Sequence, residues 1–194
     1  MTIPTKRAEL LKLIAQETAR MSYPGSMSRG IKPVVTKGTK AELEKYFATD
    51  FPMSQVRSSA PALAKIYDTW HKDRTNEIAA AIRGHVSSHN KPAAVAAKFL
   101  NTFMHQLMKY ELCRPLLPAL HLPLDARVFS AMSRIESAAL DSVRAYFDSS
   151  PYTLDYAKHS AIQKALLEFM KELNLRPQAE FKVNYRIELN WLWI

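Results

Sequence analysis

Lys98 lies between Ala96-Ala97 and Phe99-Leu100, inside the stretch KPAAVAAKFLNTFMHQLMKYELCRPLLPALHLPLDARVFSAM that covers residues 91–132. Burial disfavours the charged form of an amine, and a lysine kept neutral in apolar surroundings is a nucleophile. Asp125 stands further along the same stretch, after His121-Leu-Pro-Leu and before the helical pattern ARVFSAM. Its carboxylate can accept the free N–H groups at the start of that helix, whose N-terminus also keeps it ionised. An amine and an acid could thus face one cleft from two helices.

The elements that would hold them follow from spacing. Val95, Phe99, Phe103 and Leu107 fall on one helical stripe, and Pro92 suits a first helical turn, where its missing N–H is not needed. Prolines 115, 118 and 123 end that helix and mark a crossing. The pattern after Asp125 predicts a helix carrying Val128, Met132, Ile135, Ala139, Val143 and Tyr146. Before this stretch, a first helix is expected from Thr5 to Met21. The basic, glycine-bearing loop SYPGSMSRGIKPVVTKG comes next. Thr39 and Glu42 are spaced as a capping box for a short helix through Tyr46. Pro61 opens a long helix with Leu63, Ile66, Tyr67, Trp70, Ile78 and Ile82 inward, stopped at Gly84. After the turn at 148–151, residues 152–175 are helical in pattern. The tail FKVNYRIELNWLWI predicts a terminal helix docked on the core, with a strand as the alternative. The fold class expected is all-α, one helical domain over residues 1–194 built of two lobes.

AAKFLNTFMHQLMKY followed by LHLPLDARVF resembles the helix-hairpin-helix DNA glycosylases of the 8-oxoguanine glycosylase type, and more closely a divergent bacterial and phage branch. There an (A/Q)-K-(L/F)-L-N helix precedes an H-x-P-(L/I)-D helix start. The resemblance covers the middle quarter of the chain. It implies an all-α enzyme that flips a base from DNA and cuts its N-glycosidic bond, with lyase activity through a lysine imine and without a cofactor. The family lysine falls on Lys98 and its aspartate on Asp125. The glycine-rich hairpin L-P-G-x-G is absent, SSHNKPA standing in its place, and Lys91 is a second match to the lysine. Such a bond breaks through an oxocarbenium-like sugar, which calls for a carboxylate near C1′ and a nucleophile to take the sugar. A flipped base is sandwiched by aromatic rings; Trp70, Phe103, Tyr185, Trp191 and Trp193 are available, and His121 is a further pocket candidate.

Composition agrees with a polyanionic partner. Twenty-seven Lys and Arg against eighteen Asp and Glu leave a formal charge of +9, which favours nucleic acid. Arg29, Lys32, Lys37, Lys91 and Arg127 are the phosphate-contact candidates. The expected partner is duplex DNA with a damaged or modified base, bound by a monomer with no membrane involved. A single cysteine, Cys113, allows no intramolecular disulfide and points to a reducing, cytoplasmic compartment. Six histidines show no H-E-x-x-H or paired-cysteine spacing, so no metal site is assigned. Two other classes fit parts of the chain. Arg83 and His89 in RGHVSSH resemble the Arg/His pair of helical HEPN ribonucleases, and the charge alone suits a non-enzymatic nucleic-acid-binding helical protein.

Overall fold

Apolar spacing is most regular at residues 92–107, and the helix formed there is the axis of the molecule. A computed structural model describes residues 7–27, 35–36, 38–58, 60–175 and 182–193. Its helices are α1 (Arg7–Met27), α2 (Thr39–Thr49), α3 (Met53–Ser58), α4 (Ala60–Lys65), α5 (Tyr67–Ile82), α6 (Pro92–Leu107), α7 (Ala126–Met132), α8 (Ala138–Asp141) and α9 (Tyr156–Leu175). Short 3-10 segments occupy Arg83–His85, Glu111–Ala119, Arg144–Tyr146, Pro151–Thr153 and Arg186–Trp193. Among the described residues the fold is all-α, with one isolated bridge between Val35 and Val86. No described helix is long and apolar enough to cross a membrane.

The α6 stripe Val95, Phe99, Phe103 and Leu107 is fully buried, between α5 on one side and α1 on the other. Each such side chain contributes roughly 1.5–3 kcal/mol by leaving water. Phe103 stacks on Phe47 at 4.1 Å between ring centroids, and Phe51 meets it edge-on. Trp70 joins the same apolar cluster and donates its indole N–H to Gln55 at 3.3 Å. Trp70 and Phe103 are therefore core side chains. A second cluster gathers Leu122, Leu124, Phe129, Met132, Phe147, Ile162, Leu166 and Phe169, with Leu189 of the C-terminal segment.

Several local expectations are corrected. The first helix continues past Met21 to Met27, carrying Pro24 within it, and the Ser22 hydroxyl donates to the Thr18 carbonyl at 2.7 Å. Thr39 does not cap α2. Gly38, at a φ of 107° that favours glycine, is the N-cap. The Thr39 hydroxyl instead donates to the carbonyls of Thr36 and His85. The long helix from Pro61 is two helices broken at Ile66, which is 60% exposed rather than inward. The helix after Asp125 ends at Met132. The Glu172 carboxylate of α9 takes the Ser137 hydroxyl and the Ala139 N–H, and Arg144 donates to the Ser133 and Ile135 carbonyls, so the chain starts a new helix there. The pattern 152–175 is helical only from Tyr156, with Asp155 accepting from the Lys158 N–H. The tail is a 3-10 segment, not an α-helix or a strand.

Candidate active site between two apolar clusters

The crossing from Leu120 to Asp125 belongs to no helix, so its polar groups need partners from outside. Gln163 of α9 supplies two of them. Its Oε1 accepts from the Leu122 N–H at 2.8 Å, and its Nε2 donates to the Leu122 carbonyl at 2.7 Å. The buried Arg186 guanidinium donates to the carbonyls of Ala119, Leu120 and Gln163, tying the C-terminal segment to the crossing and to α9. Backbone groups buried in this way are costly to leave unpaired, so the two side chains fix the path of the crossing. Its side chains are then held in register with α6.

Asp125 caps α7 as the sequence predicts. One carboxylate oxygen, Oδ1, accepts from the N–H groups of Arg127 at 2.9 Å and Val128 at 3.0 Å. Lys98 is only 7% exposed, and its Nζ donates to the phenol oxygen of Tyr152 at 2.6 Å. The ammonium also lies 5.1 Å from the centre of that ring. Burial lowers the Lys98 pKa below the ordinary lysine value, and the Asp125 charge opposes that shift. Burial raises the Tyr152 pKa, with the same carboxylate adding to it. Thus Asp125 acts electrostatically on both partners of a buried amine–phenol pair. Tyr152 was not singled out in the sequence: it follows Pro151 in a 3-10 turn, 54 residues from Lys98.

No family model, curated protein or solved structure matches the chain.

The other predicted residues fall around this pair or away from it. Lys91 is the N-cap of α6; its N–H donates to the Tyr152 carbonyl at 2.8 Å, while its half-exposed ammonium stands 3.8 Å from Asp155. Of the two candidate lysines, Lys98 is the buried one. Arg127 is exposed next to Asp125. Arg83 and His89 are both exposed at the end of α5 and in the loop before α6. Tyr185 is half-buried. Arg29, Lys32, Lys37 and the side chains of Trp191 and Trp193 lie outside the described residues.

His121 packs where the crossing meets α5 and α9. Its Nε2 lies 2.8 Å from the Asp68 carboxylate, and its ring is 4.4 Å from that of His71 and 5.5 Å from that of His159. His71 and His159 stack with planes 3° apart. Asn101, one turn after Lys98 on α6, places its Oδ1 2.8 Å from His71 Nε2 and donates its Nδ2 to the Leu122 carbonyl. Burial lowers all three histidine pKa values, that of His159 to about 4; burial also pushes His105 down to about 4. These rings are neutral at pH 7. Sequence spacing gave no sign of them, since the three histidines come from separate parts of the chain.

Proposed function

We propose that the chain is a DNA glycosylase that takes a damaged or modified base out of a duplex and breaks its N-glycosidic bond. Lys98 is the nucleophile and Asp125 the positioned carboxylate. The observation that carries this is the buried Lys98 amine, held at 2.6 Å by the Tyr152 phenol and electrostatically coupled to a carboxylate fixed on a helix N-terminus.

In this mechanism substrate displaces the hydrogen bond between Lys98 and Tyr152. The amine, once it has given up its proton, forms a bond to C1′ as the C1′–N bond breaks, and the base leaves with that electron pair and gains a proton. Asp125 stabilises the positive charge that builds on the sugar. Opening of the sugar ring leaves an imine between Nζ and C1′. Loss of the C2′ proton then expels the 3′ phosphate, and water hydrolyses the imine. Charge of +9 and the exposed Arg127 and Lys91 flanking the pair suit a phosphate backbone.

Duplex oligonucleotides carrying single lesions or modified bases, treated with borohydride, test this. A trapped complex with wild type that is lost in Lys98→Gln is expected. Trapping undiminished in Lys98→Gln removes the residue from the role, and binding of DNA without turnover on every duplex would leave a non-enzymatic nucleic-acid-binding protein.

A further inference from the structure

Six buried side-chain polar atoms among the described residues have no hydrogen-bond partner, and two of them, His121 Nδ1 and His159 Nε2, belong to neighbouring rings; the Tyr67 phenol oxygen is a third, on a ring that packs against His121. Tyr67 packs edge-on against His121 at 5.3 Å and lies 5.7 Å from His71. Native proteins leave few such atoms bare, and a bound ion is one reason they do. One ring nitrogen from each of His71, His121 and His159 lies within 4.8 Å of the other two.

The outer hydrogen bonds fix which nitrogens carry lone pairs. Asn101 donates its Nδ2 to the Leu122 carbonyl, so its Oδ1 faces His71 and receives that ring's Nε2–H. The Asp68 carboxylate receives the Nε2–H of His121. Both Nδ1 atoms are therefore left as acceptors. A carboxylate or amide oxygen on the far nitrogen is the usual support of a metal-ligating histidine, because it sets the tautomer and the ring direction. His71 Nδ1 has the Tyr156 phenol at 2.8 Å and the Thr75 hydroxyl at 3.4 Å; the phenol also has the Asp68 carbonyl 3.2 Å away and can turn to it, and a metal would displace the longer Thr75 contact.

We propose that His71, His121 and His159 form a binding site for a divalent transition-metal ion of the zinc class. Three imidazoles match the ligand preference of zinc, cobalt and nickel, and among the described residues no carboxylate-rich shell surrounds them to favour magnesium or calcium. Zinc–nitrogen bonds of about 2.0–2.1 Å at tetrahedral angles place ligand nitrogens about 3.4 Å apart. A separation of up to 4.8 Å would have to close by about 1.4 Å on binding. The fourth position falls to water or an anion. Arg186 is the nearby opposing charge: it disfavours cations at His121 and His159, and it favours an anionic fourth ligand for the same reason. Tyr67, Asp68 and Arg186 also line a surface cavity of about 240 Å³, which brings solvent to the edge of the cluster.

The site does not depend on Lys98 acting as a nucleophile. Its test is titration of the chelator-stripped full chain with cobalt(II), read by the visible absorption of four-coordinate cobalt, then displacement by zinc(II). One equivalent is expected to bind. His121→Gln and His159→Gln should each abolish the bands, and His89→Gln, an exposed control, should keep them. Asp68→Asn, which touches only the far side of His121, should weaken binding roughly 10–100-fold. Where a histidine variant fails to fold, X-ray absorption of the zinc-loaded wild type counts the imidazoles directly. Absence of stoichiometric binding, cobalt bands that survive both histidine variants, or fewer than three imidazoles on zinc would overturn the site and leave three neutral core rings.

Discussion

Two polar groupings draw on the same three pieces of chain, the second adding His71 and Asp68 of α5, and they differ in how they handle burial. From α6 come Lys98 and, one turn later, Asn101; from the crossing come Asp125 and His121; from residues 151–159 come Tyr152 and the pair Tyr156 and His159. The first grouping keeps a cation-forming group and an anion near each other, with the anion half-buried at a helix end. The second is neutral, and amide and carboxylate oxygens orient two of its three rings from outside. One turn of helix thus separates a place where charge is retained from one where it is refused. The difference lies in burial: a helix N-terminus stabilises the negative charge of half-buried Asp125, whereas desolvation of the three buried rings disfavours their charged form.

The largest effect expected from disturbing this contrast is on catalysis. Asp125→Asn keeps a good N-cap, so thermal stability should hardly move, while loss of the charge should cut base release roughly 10²–10³-fold. Base release assayed beside a melting curve separates the two. Equal losses of fold and activity would make the residue structural alone.

Next in size is acid sensitivity, to which the histidine grouping and His105 both contribute. The unfolded chain binds a proton on each histidine near pH 6.5, whereas folded His159 does so only near 4. Stability is therefore full above about pH 6.5 and falls as pH drops toward 4, by about 3 kcal/mol for His159 alone. Urea unfolding at several pH values reads this, and His159→Gln should flatten the slope. A slope unchanged by that variant would place the acid sensitivity elsewhere.

The smallest effect expected is from Asn101→Leu. It strips His71 Nε2–H and one bond of the Leu122 carbonyl of a partner, which should cost about 1–3 kcal/mol of stability. Covalent trapping at Lys98, a turn away, should persist in the fraction that stays folded. Its abolition would mean that the two groupings act as one.

How much of this could be read from the chain depended on range. The α6 stripe and the Asp125 cap are local patterns, decided by residues within two turns, and both form where expected. The early end of α7 is fixed by Glu172 and Arg144, and the 3-10 tail is tied through Arg186 to Ala119, Leu120 and Gln163. Tyr152 joins Lys98 across 54 residues, and His71 lies 30 residues before Asn101. Spacing along a sequence carries no trace of such meetings. Gly38 outranked Thr39 as a cap because its positive φ turns the chain back under His85, a conformation no capping motif encodes.

The central claim is that the amine doing the chemistry is the buried one. Peptide mapping of the borohydride-reduced adduct between the wild-type chain and a duplex it cleaves tests that most directly. The sugar remnant should be on the peptide bearing Lys98. A remnant on Lys91 or on any exposed lysine would contradict it.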